Sequence, residues 1–83
     1  MNNPTERLNG LIEKEARLEA EIQTCAAYQT AMLEFTEQHG ERFEMTMIED
    51  ILHSIYTVES DRRQHLLNVR FEKALLVSRL SKR

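Results

Sequence analysis

Residues 57–66 read Thr57-Val58-Glu59-Ser60-Asp61-Arg62-Arg63-Gln64-His65-Leu66. Seven polar residues in succession, Glu59 to His65, lie between two apolar, helix-like segments. If they form a loop, the chain is a three-helix bundle. If they are helical, it is a hairpin of two long helices. Phase discriminates between the two. At about 100° per residue, Met47, Ile48, Ile51, Leu52, Ile55, Tyr56 and Val58 share one half of a helical wheel, and Thr46, Glu49, Asp50, His53, Ser54 and Thr57 share the other. Carried forward, this phase turns Glu59, Arg62, Arg63 and His65 toward the apolar half. It then returns Leu66, Val69, Leu76, Val77 and Leu80 to that half. A loop has no reason to preserve phase, and residues 57–67 hold no Gly or Pro to force a break. Ser60 and Asp61 could cap a third helix, but Ser60 has no Glu or Gln at the third position after it. The expected element is one helix over about 41–81. The alternative is a three-helix bundle broken near 59–61.

The first helix is expected over about 4–38. Asn3 serves as N-cap, Pro4 as first helical residue and Glu6 at the capping-box position. Leu8, Leu11, Leu18, Ile22, Cys25 and Met32 recur in a heptad pattern, interrupted by Glu15 and Gln29 at equivalent positions. A seven-residue repeat predicts left-handed supercoiling against a partner helix. Gly40 suits the left-handed position after a helix end. The second helix is expected to resume at once from about Glu41, although Thr46-Met47-Ile48-Glu49 is a capping box that could start it later.

The remaining composition agrees with an all-α chain of one domain, 1–83: 83 residues, two Gly, one Pro and abundant helix formers. The single Cys25 excludes an intramolecular disulfide framework and points to a reducing compartment. The polar start MNNPTERLNG lacks the apolar core of a signal peptide, and no run approaches the roughly 20 apolar residues of a membrane span. A soluble, cytoplasmic protein without membrane association is expected.

Charge is unevenly placed. Residues 1–60 hold four bases and twelve acids, whereas residues 61–83 hold seven bases and two acids. In a hairpin turning at Gly40, facing residues total about 80. That sets the acidic run of the first helix beside Arg62, Arg63, Arg70 and Lys73, with Glu15 and Glu19 in an interhelical ion-pair layer with Arg62 and Arg63. Such a layer fixes register more than it adds stability. It also leaves only Arg79, Lys82 and Arg83 free for phosphate, so nucleic acid is not the expected partner.

Catalytic and metal motifs are missing: there is no phosphate-binding glycine loop, no CxxC and no HExxH. Asp50 and His53 are one turn apart, which is half of a di-iron helix motif without its second half. Both are assigned to solvated surface. Cys25 is assigned to the core, and the aromatic residues to packing. No cofactor and no enzymatic activity are expected.

One feature points outward. Leu67, Phe71 and Leu75, four apart, fall outside the main stripe, so the C-terminal segment is apolar around most of its circumference. A helix apolar on more than one side needs more than one neighbour. A dimeric four-helix bundle from two hairpins would supply it. Leu67, Phe71 and Leu75, with Arg70 and Arg79 nearby, are the candidate subunit or partner interface. The expected function is a non-enzymatic protein–protein interaction module of adaptor, co-chaperone or inhibitor type, homodimeric and binding an unidentified protein. The alternatives are a small nucleic-acid-associated regulator using the basic C-terminal helix, and a phage or mobile-element inhibitor that sequesters a host protein.

Overall fold

The computed structural model describes residues 3–82. Helix α1 spans Pro4–His39 and helix α2 spans Met45–Ser81, with a 3-10 turn at Gly40–Arg42 between them. The helices lie antiparallel in a hairpin with extents of 63 × 21 × 15 Å. Residues 57–66 are helical throughout, and the helix is unbroken at Ser60.

The start of α1 follows from its first residues. Asn3 is extended, its side-chain oxygen accepts from the Glu6 amide at 2.7 Å, and Pro4 occupies the first turn. The connection differs from expectation in two respects. Gly40 has right-handed dihedrals, φ −54° and ψ −35°, and no described residue has positive φ. Its lack of a side chain matters for space instead: a Cβ there would meet Thr36 Cγ2 at 3.2 Å. Second, α2 begins at Met45, not Glu41. Phe43 and Glu44 are extended, and the Glu44 carboxylate accepts from the Thr46 amide at 3.2 Å. Glutamate is not among the favoured N-cap residues, but the start falls one residue before Thr46, beside the later start that the Thr46-Met47-Ile48-Glu49 capping box offers.

The seam has a strict heptad spacing. In α1 the least exposed positions are Leu8, Leu11, Glu15, Leu18, Glu21, Ile22, Cys25, Gln29, Met32 and Thr36; in α2 they are Ile48, Leu52, Ile55, Glu59, Arg62, Leu66, Val69, Lys73, Leu76 and Leu80. Apart from Glu21, steps of three and four alternate along both helices, which is the a/d seam of a coiled coil. Leu11, Leu18, Ile22, Leu66 and Val69 form the buried cluster, with Leu76 packed against it. A two-helix seam covers only two positions in seven. The half-wheel assignment of α2 is therefore too generous: Met47, Ile51, Tyr56, Val58 and Val77 are exposed. So are Arg63 and His65, which lie beside the seam and not in it.

Candidate functional site

The polar belt is structural, but in a different register from the one expected. Gln29 Nε2 donates to Glu59 Oε1 at 2.8 Å, and Lys73 Nζ donates to Glu15 Oε1. Both pairs total 88, so the midpoint of the hairpin is Glu44, not Gly40. The 3-10 turn and two extended residues consume the difference. Glu15 and Glu19 accordingly slide along α2, away from Arg62 and Arg63. Arg70 Nε donates to Glu15 at 3.0 Å, and its Nη2 donates to Glu19 at 3.1 Å. Arg62 Nε donates to Glu21 at 2.8 Å and its Nη1 to Asp61. Arg63 makes no bond to α1; it donates to Glu59 on its own helix at 2.9 Å. The expected layer of Glu15, Glu19, Arg62 and Arg63 is thus replaced by Glu15–Lys73–Arg70–Glu19 and Glu21–Arg62.

This register has a direct test. The charge swap Glu15→Lys with Lys73→Glu is expected to recover part of the thermal stability that each single reversal loses. Glu15→Lys with Arg62→Glu is expected to recover none. Rescue by Arg62→Glu in a melting experiment would restore the register centred on Gly40.

Glu15 is one of the two most enclosed of these carboxylates, its side chain 15% exposed beside 14% for Glu59. The hydrogen bond from Lys73, then that from Arg70, lowers its pKa below the ordinary 4.5. The hydrogen bonds that Arg62 donates to Glu21 and then Asp61 raise its pKa, and those that Arg70 donates to Glu15 and then Glu19 raise that of Arg70. The consequence lies on the acid side. A carboxylate with a lowered folded pKa contributes stability that is complete above its unfolded value and is lost as pH falls through the folded one. Stability is expected to decline as pH drops below about 4.5. Glu15→Gln is expected to be less stable at pH 7 and to show a shallower decline, read from urea midpoints between pH 7 and pH 2.5. An unchanged slope would remove Glu15 from the account.

The candidate interface residues are on the surface as expected. Leu67 and Phe71 are 61% and 63% exposed, and Leu75 is 41% exposed. At 100° per residue they lie about 130–170° from the seam, on the side of α2 that faces away from α1. Arg79 is exposed beside Leu75, in a shallow cleft with Arg7, Glu72 and Leu76. Arg70 differs in that its guanidinium is engaged by Glu15 and Glu19.

A second apolar surface emerges that the half-wheel reading had hidden. Around the connection, Leu33, Phe35, Phe43, Met45, Met47 and Ile51 are all exposed, as are Tyr28, Tyr56 and Val58 farther along. The Phe35 ring lies 5.3 Å from that of Phe43 and 5.2 Å from that of His39. Cys25 is half-buried at the edge of the seam, not enclosed. It shares an apolar groove with Thr24, Tyr28, Ser54, Ile55 and Val58. Strict three-four spacing from Ile48 to Leu80 is the signal that would have separated these exposed residues from the seam.

Among the described residues no group of three or more His, Cys, Asp or Glu side chains is placed to hold a metal ion. His53 lies beside Tyr56, ring centroids 6.4 Å apart. No described helix is long and apolar enough to cross a membrane. Compared with protein-family models, with curated proteins and with solved structures, the chain matches none.

Proposed function

We propose that the chain is a non-enzymatic protein–protein interaction module, of adaptor, co-chaperone or inhibitor type, that works through apolar helix surface. The observation that carries this reading is the surface it leaves open. A compact monomer of 9.8 kDa exposes about 5200 Å², whereas the hairpin exposes 6798 Å². The excess, roughly 1600 Å², is about twice what one partner contributes to a standard interface. It is also apolar in kind: among the described residues fourteen large apolar side chains are exposed and six apolar residues are buried. Scattered single residues would need no explanation, but contiguous stripes at helical spacing mark contact surfaces.

Self-association through Leu67, Phe71 and Leu75 is part of this proposal, giving a dimeric four-helix bundle. A cytoplasmic location fits a lone, unpaired cysteine. The nucleic-acid reading is weakened by the ion pairs. Arg62, Arg70 and Lys73 are engaged by Glu21, Glu15 and Glu19, which leaves α2 few bases for phosphate. Salt separates the two. Self-association measured by sedimentation is expected to hold between 50 and 500 mM salt, and a labelled 20-base-pair duplex is expected not to bind at 150 mM. Duplex binding that weakens steeply with salt would favour the regulator instead.

A further inference from the structure

We propose that two copies of the chain pair head-to-tail through α2, about a two-fold axis beside Phe71. This rests on the reading of Leu67, Phe71 and Leu75 as a self-association surface, and it fixes the direction and register which that reading leaves open. Heptad spacing sets out the side of α2 that faces away from α1. Gln64, Phe71 and Ser78 lie on its midline, Leu67 and Ala74 on one flank, and Asp61, Leu75 and Lys82 on the other. All of them are exposed.

A two-fold axis between antiparallel helices sets each flank against itself in reverse. With the axis at Phe71, positions whose numbers total about 142, twice 71, come together. Phe71 packs on Phe71 of the second copy, Leu67 on the second copy's Ala74, and Leu75 on the second copy's Asn68. At the end of the overlap Asp61 comes to Lys82 of the second copy, and symmetry makes that pair twice. The charges are available for it. Among the described residues Lys82 has no ion pair within its own chain, and Asp61, 51% exposed, is paired only with Arg62 and His65 of its own helix.

Two observations choose this direction over a parallel pair. The first is where the apolar surface stops. Thr57 and Asp50 continue the Phe71 midline toward the connection. A parallel pair would cover both and set Asp50 on Asp50, whereas the antiparallel overlap ends near Ser60 and Lys82 and leaves them in water. The second is charge. Residues 34–54 contain six acids and one base. A parallel pair brings these acidic ends side by side. The antiparallel pair holds the two connections about 80 Å apart at 1.5 Å per residue, far beyond the roughly 8 Å over which charges act in physiological salt.

The overlap covers only residues 60–82, so each connection projects free of the shared block. Phe35, Phe43, Met45 and Met47 are exposed there. The dimer is therefore bivalent, and it offers the same surface twice, at opposite ends.

The test traps the dimer in the whole chain. Cys25→Ser removes the one native thiol, and Gln64→Cys or Ser78→Cys supplies a new one. The two variants are treated with a short bismaleimide, each alone and mixed. In the antiparallel pair residue 64 lies about 20 Å from its own copy and faces residue 78. The mixture is expected to give crosslinked heterodimer as the main product, and either variant alone is expected to give almost none. At 50 mM salt Lys82→Glu is expected to weaken association about fivefold, and adding Asp61→Lys is expected to restore it. Efficient linking of Gln64→Cys to itself, or of Ser78→Cys to itself, would mean a parallel pair and overturn the proposal. So would unchanged affinity in Lys82→Glu. A dimer in sedimentation that yields no 64–78 link would set the stripe against another surface of the chain, such as the groove beside Cys25; the proposal then fails while self-association stands. A monomer in sedimentation would remove self-association and this pairing together, leaving the stripe to a different protein.

Discussion

Leu66→Ala is expected to cost the fold about 2–4 kcal/mol, while Leu67→Ala costs less than about 0.5 kcal/mol. The two leucines are adjacent, so composition and helix propensity are matched and only position differs. Leu66 is 7% exposed and belongs to the buried cluster with Leu11, Leu18, Ile22 and Val69. Leu67 is on the opposite side of α2. Truncating Leu66 removes transfer energy and leaves a gap that a seam one side chain deep can only partly close. For a small domain with total stability of about 5–15 kcal/mol, this is a large share. Both should be measured by urea unfolding in a Phe71→Asp background, because association adds apparent stability. Equal losses at the two sites would mean that α2 does not keep its phase through residues 59–66.

Phe71→Asp is expected to weaken self-association by at least about a hundredfold and to leave helix content unchanged. Phe71 sits at the centre of the stripe formed by Leu67, Phe71 and Leu75, 63% exposed and on the side of α2 away from the seam. A carboxylate there costs the monomer little, but in an interface it would be buried without a partner. Aromatic residues near the middle of a patch carry much of the energy of such contacts. A matched change near the connection, such as Glu37→Ala, should leave self-association unaltered.

Much of the architecture was legible because local signals agreed. Asn3, Pro4 and Glu6 mark the start of α1, and unbroken phase carries α2 through its polar belt. That Glu59 and Arg62 turn inward followed from the same phase. Their partners did not, because a register depends on the length of the connection, and one carboxylate capping a helix at Glu44 is invisible in a propensity pattern. A shift of eight in the pairing moved Glu15 and Glu19 from Arg62 and Arg63 to Arg70 and Lys73. The candidate interface was legible only in part, for a related reason. Half a wheel is the buried share of a helix in a globular core, but a lone hairpin buries a narrower stripe. Leu67, Phe71 and Leu75 stood out because they lay off the main face. Met47, Ile51, Tyr56 and Val58 did not, because they share a half-wheel with the true seam residues Ile48, Leu52 and Ile55.

The central claim is that the apolar surface outside the seam is there to be covered, and that the charged belt within it serves the fold. Sedimentation equilibrium of the wild-type chain and of Phe71→Asp, from 1 to 100 μM, tests it most directly. The expected result is a wild-type mass approaching twice 9.8 kDa and a Phe71→Asp mass of a single chain with the same helix content. A wild-type chain that stays a folded monomer over that whole range would contradict it.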